Sequence, residues 1–586
     1  MKATEQRTPR RRTVPLAAAA LCIFFMTVPV FAQTSEIPER LPADTIAYLH
    51  WRGKPYLTEG ETKNHILQLI EDPDFLPLRQ KVMDDFRKST ESEGEPSAAP
   101  TLHEIISLLE NPAAAGIMLA THLPPAKDDE SGTKLPAVGF FFVYDTTGKT
   151  ALIDLLKANP QVKEREPRSV VAYDFEGVKV EGRTSGTSVS FTARAGHYYL
   201  GADQKRVVEE LIRRFRGAAK PSSSVSQLAA YQEVRPYVGA DAAIELFAQN
   251  PGLENLIAAD QKDKPFARAL NALHLDKIHT LAGGVSLANE ATRLHGVALG
   301  DTTPVSPFDL AGESAATFST EPAVSAGPYF SISRLNLPAL HRLIRAGVAA
   351  ASSPQTPSVA SVEAMAKNFL GMSIEEAFQL FTGEIASQSS YSEEGIWQKS
   401  FAITIQRPQD VLRVIRAAVG SYISAENTAG DTTFLDLSYS PGGGSTDPQK
   451  RTSFYVAVTP QMLFAAPKKS ILREEIARFN AASADPPAAE SFSSAELKQM
   501  RGLLPQKLSG LSAADLSHFP WETFLSQLRQ NTAGGAKDAK DSQGASPSGD
   551  DYWNLIKPET FSRHLHAAIS GWWKDSSGIY FDTYVQ

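Results

Sequence analysis

Tyr198-Tyr199-Leu200-Gly201-Ala202-Asp203-Gln204-Lys205-Arg206-Val207-Val208-Glu209-Glu210-Leu211-Ile212-Arg213-Arg214-Phe215 decides the architecture, because Met462–Phe479 follows the same plan. In both, a short apolar strand runs through a polar turn into a helix. Val207, Val208, Leu211, Ile212 and Phe215 share one face at 3.6-residue spacing, and Ile471, Leu472, Ile476 and Phe479 repeat that face. The two stretches share 6 of 18 residues: Ala202/Ala466, Lys205/Lys469, Glu210/Glu474, Ile212/Ile476, Arg214/Arg478 and Phe215/Phe479.

Three more pairs lie outward of this one in the same order. Tyr48-Leu49-His50-Trp51 resembles Tyr329-Phe330-Ser331-Ile332, each a short strand ahead of a helical stretch. Leu102–Leu109 resembles Ile374–Phe381. Phe140–Tyr144, followed by Leu152 and Ile153, resembles Ala402–Gln406, followed by Val414 and Ile415. The offsets are 281, 272, 262 and 264, so the matches stay collinear and differ by loop-sized insertions. Val178-Lys179-Val180-Glu181 and Val189-Ser190-Phe191-Thr192 alternate with period two, as half-buried antiparallel strands do. The expected fold class is α+β: an internally duplicated unit of antiparallel β-sheet packed with amphipathic helices. Each unit reads strand, helix, helix, strand, helix, β-meander, closing helix.

The expected boundaries are a signal peptide at 1–32, repeat 1 at 33–218, an intervening β-rich segment at 219–323, repeat 2 at 324–482, and a C-terminal helical region at 483–586. The intervening segment holds a helix near Leu228–Val234, a strand at Ala243–Ala248 and a hairpin across Leu281–Leu299. Segments rich in Ser, Gly, Pro and Asp, such as Ser89–Ala99, Lys127–Lys134, Ser440–Asp447 and Thr532–Asp550, read as solvated linkers. In the C-terminal region, Phe561, Leu565, Ile569 and Trp572 fit one stripe of a helix over Phe561–Trp573, followed by a strand pattern at Ile579–Val585. Four of the six tryptophans fall there (Trp521, Trp553, Trp572, Trp573), either capping a core or forming a docking surface.

Residues 1–32 have the order of an export signal. Lys2, Arg7, Arg10, Arg11 and Arg12 precede the uncharged run Leu16–Val30, which ends at Val30-Phe31-Ala32. An uncleaved anchor is the competing reading, since Thr13–Ala32 is uncharged. The whole chain has 58 Lys+Arg against 66 Asp+Glu, a net charge of −8. Removing 1–32 takes 5 basic residues and 1 acidic one, leaving 53 against 65, or −12. That balance argues against a nucleic-acid partner, which needs cations to neutralise phosphates. The single cysteine, Cys22, lies in the signal, so disulfides and thiolate metal sites are excluded from the remainder.

Every catalytic pattern fails at a defining position. Gly148-Lys149-Thr150 follows a strand at Val138–Val143 and precedes a helical pattern at Ala151–Leu156, but Val143 stands where a phosphate loop needs its first glycine. His103-Glu104-Ile105-Ile106-Ser107 puts Ser107 where a zinc helix needs its second imidazole. Ser131-Gly132-Thr133-Lys134 sits in an acidic linker without partner motifs. His564 and His566 would point apart on a helix, and His274 and His279 are no better placed. Asp84-Asp85 and Glu209-Glu210 read as solvent-facing carboxylates. No catalytic, cofactor-binding or metal-binding residue is assigned.

Leu41-Pro42-Ala43-Asp44-Thr45-Ile46-Ala47-Tyr48, Asp72-Pro73-Asp74-Phe75, Pro558-Glu559-Thr560-Phe561 and Gly571-Trp572-Trp573 resemble in layout the uncharacterised exported bacterial proteins classed as a domain of unknown function. The resemblance implies an envelope location and supplies no site residue. The expectation is therefore a non-enzymatic periplasmic or cell-surface binding or scaffold protein. Its concrete form is a carrier with an apolar groove for lipid or peptide between two sheets. The rivals are a hydrolase of envelope polymers with a site assembled from distant residues, and a subunit of an envelope assembly.

Overall fold

The computed structural model describes residues 36–53, 64–81, 110–120, 138–149, 169–185, 188–217, 223–239, 241–250, 277–287, 290–301, 306–325, 327–351, 358–391, 397–439, 452–484, 494–526 and 554–586, with isolated positions between them. The signal at 1–32 and the motifs at His103–Ser107 and Ser131–Lys134 lie outside the described residues.

The first ten strands are β1 (Thr45–Trp51), β2 (Ala113–Leu119), β3 (Val138–Asp145), β4 (Ser169–Phe175), β5 (Val178–Ser185), β6 (Ser188–Ala195), β7 (Tyr198–Ala202), β8 (Ala242–Gln249), β9 (Ile278–Ser286) and β10 (Thr292–Gly300). The second ten are β11 (Tyr329–Arg334), β12 (Phe381–Tyr391), β13 (Trp397–Ile405), β14 (Ile423–Ala429), β15 (Thr432–Tyr439), β16 (Thr452–Val458), β17 (Met462–Ala466), β18 (Gly510–Asp515), β19 (Ala567–Lys574) and β20 (Gly578–Val585). The helices are α1 (Ile37–Arg40), α2 (His65–Glu71), α3 (Lys205–Phe215), α4 (Ala229–Val238), α5 (Glu321–Val324), α6 (Leu337–Ala351), α7 (Val359–Leu370), α8 (Ile374–Phe378), α9 (Pro408–Val419), α10 (Lys469–Ala484), α11 (Ala495–Arg501) and α12 (Pro558–His564).

All 20 described strands join one antiparallel sheet. From one edge the order is β4-β5-β6-β7-β3-β2-β1-β8-β9-β10. It then crosses the β10–β20 pair and continues β19-β18-β11-β12-β13-β17-β16-β15-β14. The chain is thus α+β, with mixed helix and strand and a large antiparallel sheet. Two halves with the same pairing series meet at β10 and β20.

One sheet face carries two cores. Under α3 and α4, Tyr48, Phe141, Val180, Leu200, Val207, Leu211, Phe215, Val234 and Phe247 are buried together. Under α5, α10 and α11, Ile332, Ala386, Ala402, Phe464, Leu472, Leu497 and Ile569 form the second. Trp573 packs against both and stacks on Tyr580 at 5.6 Å, joining the cores across the seam. On the opposite face, a third cluster (Met372, Leu380, Val411, Leu412, Leu435, Val456) packs α8 and α9 onto the second half alone.

Three expectations are corrected. The helix over Phe561–Trp573 stops at His564, and Ala567–Lys574 is strand β19. Ala567, Ile569 and Gly571 alternate inward while Ala568, Ser570 and Trp572 face the other way. The stretch fits both periods, but Gly571 and the adjacent tryptophans favour a pleated strand. Glu209 is buried rather than solvent-facing, because the packed stripe of α3, with Val207, Val208, Leu211 and Ile212 at 0% exposure, is wide enough to include it. Trp573 packs against the cores while Trp572 lies on the opposite sheet face, so the two tryptophans do not form one surface.

The two ends of the chain are fastened by Asp72, which caps α2. Its Oδ2 lies 2.6 Å from Arg563 Nη1 and 2.8 Å from His564 Nε2, both on α12. Phe75 meets Phe561 edge-on at 5.7 Å beside this clasp. Burial alone would raise the Asp72 carboxyl, but bonds from His564, the Asp74 amide and Arg563 outweigh it and draw it down to about 2. A depressed carboxyl adds stability above its ordinary value of 3.8, lost as pH falls toward about 2. Asp72→Asn is expected to lose about 1–2 kcal/mol near neutrality, discounted for the exposed Arg563, and almost nothing in strong acid. Urea unfolding at the two pH values checks it; equal losses would remove the ionic argument.

Candidate functional site: an amphiphilic sheet face

On the face opposite the two main cores, the register aligns side chains into rows running across strands. One row reads Phe142, Ala115, Leu49, Leu246, Gly283, Gly296, Phe581, Trp572 and Gly510, from β3 to β18. A neighbouring row reads Phe140, Ile117, Ala47, Ala248, Leu281, Ala298 and Ile579. Within them Phe140 is 62% exposed, Leu246 47%, Phe581 46% and Leu281 43%, with Phe142 and Leu49 also exposed. Seven adjacent strands, β3 to β20, spread this apolar floor over roughly 29 Å at ~4.8 Å per strand. A monomer rarely leaves so large a contiguous apolar face to water without a function for it.

Glycines shape the floor. A Cβ on Gly201 would meet the Phe142 ring at 2.3 Å, one on Gly296 the Phe581 ring at 2.3 Å, and one on Gly510 the Trp572 indole at 1.9 Å. Each aromatic therefore lies down over a cross-strand glycine, presenting ring surface rather than edge.

The third row changes character at the seam. It runs Trp51, Ile244, Val285 and Leu294 in the first half. It then becomes Thr583, Ser570, Ser512, Ser331 and Ser387 in the second. Ser512 donates to Ser331 Oγ at 2.9 Å, and the Ser570 and Thr583 hydroxyls share a bond of 2.7 Å. Each hydroxyl has one donor and two acceptor positions, so the ladder keeps capacity for a polar ligand. Leu67 of α2 covers Trp51 and Ile244, while Leu294 at the seam is exposed and the hydroxyl residues beyond it are half-buried. None of these row residues carries a titratable group. The rows suit an amphiphile, and among their described residues there is no acid–base pair and no nucleophile beside a base.

The chemically tempting residues lie elsewhere and are absorbed by structure. Lys149 pairs with Glu110 at 2.7 Å, while Thr150 lies outside the described residues. His564 belongs to the Asp72 clasp, and His65 meets His566 edge-on at 5.3 Å. Glu384 accepts from Thr320 and Arg334 in the second core. No group of three metal-ligating side chains occurs among the described residues. The expected groove between two sheets has no counterpart among the described residues, whose strands form one sheet. A cavity of about 250 Å³ between β14–β16 and α10 is crossed by the Lys469–Asp436 ion pair, 2.6 Å.

Sequence reasoning missed these rows, although one signal was available. Ile244, Leu246 and Ala248 alternate with Ala243 and Phe247, making β8 apolar on both faces, unusual where one face meets water.

The chain matches no family model and no curated protein. Among solved structures it is similar to one described as "Structure of crystal form I of TP0453", at 8% identity and a TM-score of 0.22, covering 46% of this chain and 80% of that one. Among the described residues no helix is long and apolar enough to cross a membrane.

Proposed function

We propose that this is an exported, non-enzymatic envelope protein that holds a lipid on its open sheet face. The acyl chains lie along Phe140, Phe142, Leu49, Leu246, Leu281 and Phe581, and the polar head rests on the hydroxyls of Thr583, Ser570, Ser512, Ser331 and Ser387. The observation that carries this reading is a continuous exposed apolar floor that gives way to hydroxyls at one seam. The signal-like residues 1–32 support export.

We further read the chain as a duplication whose unit is larger than repeats 33–218 and 324–482 alone. The series β1 to β10 and β11 to β20 pair in the same order, which supports a unit that takes in the segments 219–323 and 483–586. Duplication then explains the seam: two copies meet through their last strands, and each copy's outer face has diverged, one toward leucine and phenylalanine, the other toward serine.

Native mass spectrometry of the protein purified from its own envelope tests the reading directly, with bound lipid expected. Delipidated protein should take up a fluorescent fatty acid, and Leu246→Asp/Phe581→Asp should weaken uptake at least about tenfold, since each lost apolar contact removes ~1.5–3 kcal/mol. Both positions are nearly half exposed, so the fold should survive. Unchanged uptake in the double variant, or no lipid in either experiment, defeats the proposal.

A further inference from the structure

We propose that α6 and α7 form a second site, a docking surface for anionic lipid bilayers. Helices in folded chains normally gain their stability by burying an apolar face. α7 does not: none of its 12 residues is buried. Val362, Met365 and Phe369, spaced three and four apart along one stripe, are 37%, 63% and 62% exposed. α6 adds Ile344 and Val348, one turn apart, at 50% and 39%. Helix α7 is nevertheless well formed at both ends. The Ser358 side chain accepts from the Ser361 amide at the start of α7, and Gly371 ends it at φ 71°. Leu370, at its last turn, reaches the cluster beneath.

Charge selects the occupant. Residues 337–370 carry Arg342, Arg345 and Lys367 against Glu363 alone, three basic residues against one acidic, in a chain of net charge −8. Arg342 and Arg345 are more than half exposed, and their pairs with Asp309 (2.7 Å) and Glu363 (3.3 Å) lie at the surface. Lys367 is exposed, with Glu376 of α8 and the further cation Arg407 in electrostatic reach of one another beside it. An apolar stripe rimmed by cations, on helices that satisfy their own backbone, is what an interfacial anionic membrane accepts. An acidic protein partner would meet the cations but leave Met365 and Phe369 in water. A second copy docking through the same patch would set Arg342, Arg345 and Lys367 against their own counterparts. The surface is separate from the sheet face, and the inference stands without the lipid-holding reading.

Co-sedimentation of the full chain with phosphatidylcholine–phosphatidylglycerol vesicles, against pure phosphatidylcholine, tests it. Binding to the anionic vesicles only, weakening with salt, is expected. Met365→Asp/Phe369→Asp should lower the partition coefficient at least about tenfold, and Arg345→Glu/Lys367→Glu should abolish the preference for anionic lipid. Because Met365, Phe369, Arg345 and Lys367 are all exposed, both variants should keep the parent's circular dichroism and melting temperature. Leu246→Asp/Phe581→Asp should still bind vesicles, which separates this surface from the carrier face. A parent that ignores anionic vesicles, or an aspartate variant that binds as well as the parent, overturns the proposal. So does a concentration-dependent dimer abolished by Met365→Asp in the absence of vesicle binding, which would assign the stripe to a second copy.

Discussion

Replacing Glu475 by leucine is expected to stabilise the protein by roughly 2–3 kcal/mol near pH 8 and to change little near pH 5. Glu475 lies on α10, wholly buried in the second core. The Ser400 hydroxyl donates to its Oε1, while Oε2 meets no hydrogen-bond partner among the described residues. Burial pushes the carboxyl up to about 7, and Ser400 and Arg478 only partly oppose it. The folded protein therefore keeps a proton that the unfolded chain releases above 4.5. Stability is full below that value, falls as pH rises toward about 7, and stays reduced above it. The shift corresponds to roughly 3 kcal/mol, from which the orphaned Ser400 hydroxyl subtracts about 1 kcal/mol. Leucine is the apt replacement because Leu211 fills the matching place on α3. Phe141 pairs with Ala202, while Phe401 pairs with Ala465, one residue before the counterpart of Ala202. Ser400 therefore stands where Phe141 stands. Glu475→Gln separates charge from shape, since it should flatten the pH dependence without restoring the apolar contact. Urea midpoints at the two pH values decide the matter; an equal shift at both would exclude protonation as the cause.

The meander and its closing helix were legible because their periods are local. The offset of 264 read from Tyr198–Phe215 equals the displacement of β7 to β17, and the polar turn between strand and helix holds the register. The match of Phe140 with Ala402 is displaced by three residues. The pair registers set Val138–Asp145 against 397–404, an offset of 259. An odd slip exchanges the faces of a strand, but Gly139-Phe140-Phe141-Phe142-Val143 is apolar on both and hides the error. The C-terminal strands were hidden differently. Arg293 and Asp582 bond across the seam although 289 residues separate them, and nothing local to Gly578–Val585 names β10 as its partner. The hydroxyl row was equally invisible: Ser331, Ser387, Ser512 and Ser570 are unremarkable in their own strands and gain meaning only when the register aligns them.

Glu245→Gln is expected to destabilise the first half by about 3–5 kcal/mol at neutral pH, and Glu245→Leu combined with Arg52→Leu to recover most of that loss. Glu245, on β8, is 1% exposed and accepts from Tyr48 Oη at 2.6 Å and Arg52 Nη2 at 2.9 Å, with His50 Nδ1 at 3.6 Å. Burial would raise its carboxyl, but His50, Tyr48 and the Arg52 charge outweigh burial and hold it far below the carboxylate range. Burial also lowers the His50 pKa, so the compensating charge is that of Arg52. Glutamine keeps the shape but removes the carboxylate charge that faces the largely buried Arg52 guanidinium, whereas the double leucine variant removes both charges together. The pH dependence has the opposite sign to that of Glu475. A depressed carboxyl stabilises above its ordinary value of 4.5, and that contribution is lost as pH falls. The gap between wild type and Glu245→Gln should therefore narrow in acid, and a gap independent of pH would count against the ionic account. Because Glu245 and Glu475 sit in different cores and share no partner, their effects should add within about 0.5 kcal/mol. One carboxyl then weakens the protein on the acid side and the other on the alkaline side. Maximal stability should fall near pH 4.5, where the gain from Glu245 is nearly complete and the loss from Glu475 begins, and Glu475→Leu alone should turn the falling limb above it into a plateau without moving the acid limb.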